Sequence, residues 1–269
     1  MKAIPPASLW LVGCGNMAGA MLARWIEART IDPRDVFVVN RHDRTLPAGV
    51  RQGRELPDGP LPDAVMLGMK PQQIDTVAEM HGSRIAGVRL LISILAGVEI
   101  ASLAERFHAE QIVRAMPNLP VALGKGVTVL HGPRNYAAEA LMAPLGLVEW
   151  AETEQLFDAA GTLSGCGPAF LYRFIDALAQ AGVAQEIPPE QAARLALAAV
   201  EGAGALAAQA DVDPATLADR VASPNGSTRK GLDVLDKDAA LVRLMTATLE
   251  AAERRTKEMA AEARNASKA

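Results

Sequence analysis

Aromatic residues are scarce in this sequence: three Trp, two Tyr and five Phe make up 4% of 269 residues. So few rings offer no platform for base stacking, and a net charge of −4 offers no phosphate-neutralising surface, so nucleic acid is not expected as a partner. Two cysteines, Cys14 and Cys166, cannot build a disulfide framework, which fits a reducing compartment. Four histidines (His42, His81, His108 and His131) are scattered, with no H-E-x-x-H or C-x-x-C, so no metal site is expected and each His is read as a surface or capping residue. A G-x-S-x-G elbow is also missing, which argues against a Ser-His-Asp hydrolase. The longest weakly polar stretch, Ala192 to Ala208, is interrupted by Arg194 and Glu201, and Met1 to Ser8 has no apolar run. Neither a membrane span nor a secretory signal is expected, and the cytoplasm is the expected location.

What is present is an ordinary globular composition, 50% hydrophobic and 22% charged, at a length suited to one large or two medium domains. Up to about Trp150, short apolar runs alternate with helical patterns: Leu9 to Gly13, Val36 to Asn40, Ala64 to Met69, Leu90 to Leu95, Ile112 to Met116 and Val127 to Leu130. Continuous apolar runs predict strands buried on both faces, as in a parallel sheet covered by helices. Residues 1–150 are therefore read as a doubly wound α/β domain of Rossmann type. From 151 to 269 the pattern is Ala- and Leu-rich and helical. Helices are expected over Glu154 to Ala160, Pro168 to Ala181, Pro189 to Gln209, Pro214 to Val221, Thr228 to Asp236 and Ala239 to Ala263, with Asp213 as an N-cap. Gly202 and Gly204 in the Ala-rich helix allow close backbone approach, which suits a homo-oligomer.

The sharpest local signal is Gly13-Cys14-Gly15-Asn16-Met17-Ala18, a G-x-G-x-x-A turn between a strand and a helix. Gly13 permits the tight turn, Gly15 admits a pyrophosphate close to the backbone, and Ala18 lets helix and strand pack closely. The helix N-terminus adds free N–H groups and a favourable dipole. The second strand ends Val39-Asn40-Arg41-His42-Asp43-Arg44, with no carboxylate at its tip. Asn40 can donate, and Arg41 or Arg44 can pair with a 2′-phosphate, which favours NADPH; Asp43 folding back onto the ribose would allow NADH. Two further segments, Thr162 to Ala169 and Ser223 to Thr228, place hydroxyls and glycines before a helix, as a small carboxylate would require. Helix capping by Ser or Thr is the competing reading of both.

Taken together, these motifs resemble the pyrroline-5-carboxylate reductases. The resemblance runs through Val12 to Met17, Met69 to Ile74, Ser93 to Val98, Arg114 to Val121, Leu163 to Phe170 and Val221 to Thr228. It implies a Rossmann domain followed by an all-helical dimerisation domain, with the dimer assembled further into a ring such as a decamer. The implied reaction is NAD(P)H-dependent reduction of 1-pyrroline-5-carboxylate to L-proline, the last step of proline biosynthesis. The resemblance places the nucleotide at Gly13, Gly15, Asn16, Met17, Asn40, Arg41, Met69, Lys70, Pro71 and Ala96. It places the substrate at Ser223, Gly226, Ser227 and Thr228, with the Thr228 hydroxyl at the ring nitrogen. Leu119, Cys166 and Asn225 depart from the usual Thr, Ser and Gly, which bears on substrate preference; Asn tolerates the positive φ that a glycine there would supply. Aligned with the β-hydroxyacid dehydrogenases, the sequence puts Leu171 where their proton-transferring Lys belongs. A six-membered cyclic imine acid as substrate, or a non-catalytic NADP-binding sensor, are the remaining alternatives.

Overall fold

A computed structural model of the chain describes residues 3–266. It divides into two compact units: residues up to Pro168 together with those from Ala252 onward, and Ala169–Ala251.

The first unit is built on one eight-stranded sheet. Its strands are β1 (Leu9–Val12), β2 (Val36–Val39), β3 (Arg51–Gly53), β4 (Ala64–Leu67), β5 (Leu90–Ser93), β6 (Ile112–Pro117), β7 (Gly126–His131) and β8 (Gly146–Ala151). The order across the sheet is β3-β2-β1-β4-β5-β6-β7-β8, and the first six strands run parallel. The chain runs outward from β1 through β2 to β3 and then returns to place β4 on the other side of β1, which puts a topological switch point between β1 and β4, the usual position of a nucleotide crevice. Every residue of β1, β4 and β5 is buried, as their continuous apolar runs require. Side chains from the two sheet faces form separate cores. Trp25, Met21 and Leu141 lie in one, Phe107, Leu103 and Ile85 in the other.

The sheet departs from the all-parallel expectation at β7, which pairs antiparallel with β6, Met116 opposite Val129. The connection from Asn118 to Lys125 is a short 3₁₀ turn closed by Gly124 at φ +66°, too short for the crossover that parallel pairing demands. Two edge strands, β3 and β8, were not expected. β3 is three residues and polar, and β8 alternates between exposed and half-buried positions, so neither presents a continuous apolar run.

Helices α1 (Asn16–Glu27), α2 (Ile74–Ile85), α3 (Ile100–Arg106) and α4 (Tyr136–Met142) cover this sheet. Trp25 of α1 is fully buried and donates its indole N–H to the Leu141 carbonyl at 2.7 Å, fixing α1 to the end of α4.

The two helices expected from 154 to 181 are one. Helix α5 (Glu154–Val183) runs without interruption through Pro168. Four more helices follow: α6 (Pro189–Ala207), α7 (Pro214–Val221), α8 (Ser227–Asp236) and α9 (Ala240–Ala266). Pro189 and Pro214 stand in first turns as expected, and Asp213 caps α7 by accepting from the Thr216 N–H at 3.0 Å. Between Ala169 and Ala251 the buried apolar residues are only Ala192, Ala196 and Ala222. Phe174, Leu178, Leu195, Leu197, Val242 and Leu244 are all exposed on the single chain. Helices this apolar leave a core unfinished by one copy, the mark of an interface.

Candidate functional site

A cavity of about 1090 Å³ opens at the carboxyl ends of the parallel strands. The G-x-G-x-x-A turn forms its floor. Gly13 has φ +88°, and a Cβ there would lie 2.6 Å from the Met69 backbone nitrogen, so the turn accepts glycine alone. Gly68 matters equally: a Cβ at that position would meet the Gly13 carbonyl at 2.6 Å and the Ala18 Cβ at 3.0 Å. Gly15 is different, because a Cβ there would meet nothing within 4 Å. It is the N-cap of α1, and no side chain caps that helix. The first-turn N–H groups are therefore open to a phosphate, and Gly15 leaves the approach clear.

Asn40 sits at the tip of β2. Its Oδ1 accepts from the Cys14 N–H at 2.8 Å, which fixes the amide, and its Nδ2 is buried without a partner. An unpartnered buried donor costs about 1–3 kcal/mol, a cost that a ligand oxygen would remove. Around it stand Arg41, His42, Arg44 and Arg54, and no Asp or Glu lines the cavity. The loop carrying them is tied to β3 by Gln52, which accepts from the Arg44 N–H at 3.1 Å and donates to the Arg44 carbonyl at 2.8 Å. Among the described residues no carboxylate pairs with Arg41, Arg44 or Arg54. The donor set thus fits a dinucleotide: a phosphate-binding turn at one point, a cationic pocket beside the second strand.

Of the residues expected at the nucleotide, Gly13, Gly15, Asn16, Met17, Asn40, Arg41, Met69 and Lys70 are brought together around this cavity. Pro71, which opens the turn before α2, and Ala96, in the turn after β5, do not line it, and neither does Asp43. Arg54 was missed because it follows β3, a strand too short and polar to register in the sequence. His81, expected as a surface or capping residue, is neither. It is buried on α2 and lines the cavity, and burial lowers its pKa, which favours the neutral imidazole. His131 is likewise largely enclosed, with Nδ1 2.8 Å from the Ala151 carbonyl. The Cys14 thiol is buried in the turn, and burial raises its pKa, which disfavours the nucleophilic thiolate.

In the helical unit, Ser223 and the start of α8 form a compact turn. Asn225 has φ +59°, the positive value expected of it, and the Gly226 N–H donates to the Ser223 carbonyl at 3.0 Å. A Cβ on Gly226 would lie 2.5 Å from the Ser223 Oγ, so glycine lets that hydroxyl close over the helix start. The N-cap is Gly226, which has no side chain to cap with, so the N–H groups of Ser227 and Thr228 remain open; Thr228 stands inside the first turn. Arg229 of α8 holds Asp219 of α7 at 2.6 Å and braces the turn from both sides. The other expected carboxylate-binding segment, Thr162 to Ala169, does not precede a helix. It lies within α5, where its N–H groups are spent on the helix and the Ser164 hydroxyl bonds back to the Ala160 carbonyl at 2.8 Å.

A second polar cluster joins β6 to the start of α5. Arg114 of β6 is completely buried, stacks over the Phe157 ring at 4.2 Å, and bonds to Glu154 at the start of α5. Asp158 stands 3.5 Å from the same guanidinium, within ion-pair range but without hydrogen-bond geometry. Burial raises the Asp158 pKa, and Arg114 opposes that rise.

Sheet order, glycine turn and cationic second-strand pocket together define an oxidoreductase of the Rossmann class that uses a nicotinamide dinucleotide. Comparison with known proteins makes the assignment specific. The pyrroline-5-carboxylate reductase dimerisation family matches residues 154–259. A pyrroline-5-carboxylate reductase from Synechocystis is 36% identical over 264 residues, 93% of this chain and 97% of that protein. The chain belongs to the pyrroline-5-carboxylate reductase family. Among solved structures, a pyrroline-5-carboxylate reductase from Coxiella burnetii matches with TM-score 0.83 and 30% identity, covering 94% of this chain and 98% of that one. A Plasmodium falciparum pyrroline carboxylate reductase with NADP bound matches with TM-score 0.78 and 26% identity, covering 97% and 99%.

Proposed function

We propose that the chain reduces 1-pyrroline-5-carboxylate to L-proline with NADPH as its preferred donor, and that Thr228 is the catalytic residue. Family membership carries the reaction and the use of NAD(P)H. The preference for NADPH rests on one observation, the pocket of Arg41, Arg44 and Arg54 with no carboxylate among its lining. Guanidinium groups bind a phosphate dianion through paired charge-assisted hydrogen bonds, while a bare ribose gains little from them. The open N–H groups at α1 hold the pyrophosphate, Asn40 supplies its unused amide, and Met69 and Lys70 complete the lining of the nucleotide site.

The nucleotide supplies the hydride, and the protein's task is to bind and orient the imine. Ser223 and the backbone of Gly226, Ser227 and Thr228 hold the substrate carboxylate at the start of α8. The Thr228 hydroxyl hydrogen-bonds the ring nitrogen. A neutral hydroxyl is a poor acid near pH 7, so Thr228 orients the nitrogen and relays a proton that originates in the protonated imine or in solvent. Residues 1–150 serve the nucleotide, and 151–269 serve substrate and dimer. The exposed apolar faces of α5, α6 and α9 support a homodimer; its further assembly into a ring such as a decamer and its place in the cytoplasm are parts of the proposal that rest on the sequence and its family resemblance alone. No described helix is long and apolar enough to cross a membrane.

The test is loss of absorbance at 340 nm with the imine substrate and either nucleotide, alongside Thr228→Ala and Arg54→Ala. Thr228→Ala should lower kcat by about 10- to 100-fold with NADPH binding intact. Arg54→Ala should raise KM for NADPH and leave that for NADH unchanged. Failure of folded, NADPH-binding protein to oxidise it would refute the substrate, and equal use of NADH would refute the cofactor preference.

A further inference from the structure

We infer that Asn118 is a positioning residue for the reductase: its amide fills the hydrogen-bond vacancy that Pro168 opens in α5, and so holds the helix against the Met116–Pro117 wall of the cofactor cavity. A proline inside a helix has no N–H for the carbonyl four residues earlier, which here belongs to Ser164. The Asn118 Nδ2 donates to that carbonyl at 2.9 Å. Its orientation is fixed, because the Asn118 Oδ1 accepts from the Val127 N–H at 2.8 Å, leaving only the amine to face Ser164. Asn118 is itself buried, so the bond is shielded from water.

The contact belongs to a continuous seam. Arg114, Met116 and Asn118 alternate along β6 and its extension and so share one face. They meet α5 at Glu154, Gly161 and Ser164 in turn. Arg114 bonds Glu154, whose other oxygen accepts from the Ile100 N–H at 2.9 Å. A Cβ on Gly161 would lie 3.1 Å from the Met116 Cγ, so the helix backbone rests directly on that side chain. Met116 and Pro117 also line the cavity. They stand on the β6 side of the switch point, opposite the arginine pocket beside β2, and so at the nicotinamide end of a dinucleotide. A displaced wall would misplace the reacting ring while leaving the pyrophosphate and 2′-phosphate contacts intact.

The experiment is a double-mutant cycle of Asn118→Ala and Pro168→Ala. In the Pro168→Ala background residue 168 supplies its own N–H to Ser164, and Asn118 becomes redundant. The lost Val127 contact is common to both backgrounds and cancels. Asn118→Ala should lower kcat about tenfold in the wild-type background and under about threefold beside Pro168→Ala, with the nucleotide Kd unchanged throughout. The melting temperature of the nucleotide-free protein should show the same non-additivity. Additive effects in both readouts would overturn the inference, and coupling in melting temperature with kcat untouched would reduce Asn118 to a structural role. If Asn118→Ala fails to fold, Asn118→Ser replaces it in the same cycle. The kinetic arm rests on the reductase reading, which wild-type turnover tests by itself; the melting arm does not.

Discussion

Replacing Arg114 by methionine gives a stability loss with a pH signature that packing alone cannot produce. Arg114 is completely buried, while the Glu154 and Asp158 carboxylates beside it are each about a quarter exposed. Methionine preserves the aliphatic contact with Phe157 and removes the charge, leaving two carboxylates without their cation. Breaking a buried pair from one side costs about 3–5 kcal/mol, and the partial exposure of the acids places this case near 3. For a chain of this size that corresponds to a fall of roughly 6–12 °C in melting temperature. The penalty arises from charged carboxylates, so its pH dependence has a definite sign. Burial already holds the Asp158 carboxyl above its unfolded value near 4, and removing Arg114 takes away the charge that opposes the rise. A raised native carboxyl pKa costs nothing below the unfolded value, an increasing amount as pH climbs from the unfolded value to the native one, and a constant amount above it. The gap between wild type and Arg114→Met should therefore be widest at pH 7.5 and shrink toward pH 4.5. Thermal unfolding followed by circular dichroism at both pH values measures it. A gap that is constant or wider in acid would refute the argument and assign the loss to packing.

Gly13→Ala forces a Cβ to within 2.6 Å of the Met69 nitrogen at φ +88°, and should abolish measurable NADPH binding in a fluorescence titration while the helical unit stays folded. Phe174→Glu introduces charge on an exposed apolar face of α5, and should shift the protein to smaller species in light scattering coupled to gel filtration. His81 is buried with a lowered pKa, so its stabilising contribution is complete above the unfolded value near 6.5 and declines as pH falls below it. His81→Gln should flatten the part of the stability profile just below about pH 6.5, and an unchanged profile would show that the imidazole is accessible to protons.

Much of the site was legible in the residues themselves. Gly13 and Ala18 each have one physical use between a strand and a helix: Gly13 turns the chain at φ +88°, Ala18 packs closely against Gly68, and Gly15 leaves the start of α1 open. Asn40 and Arg41 follow from where the second strand ends, and continuous apolar runs identified six of the eight strands. These features are local: a turn, a cap or a buried run is specified by neighbours a few residues apart. What escaped the sequence depended on distant partners. Arg54 reaches the cavity only because β3 adds to the edge of β2, and its three polar residues form a strand through that pairing. His81 is enclosed by elements that fold around α2 rather than by anything in its own segment.

The clearest division lies at Pro168. By itself the sequence determined a Rossmann half, a helical half and the chemistry of the nucleotide turn, because backbone sterics and side-chain periodicity act over short distances. It also pointed to a helix boundary at Pro168, since a proline removes a bond that a helix needs. Only the tertiary structure decided otherwise. Asn118, held on β7 through Val127, donates the missing bond to Ser164, and with that carbonyl satisfied the helix continues from Glu154 to Val183.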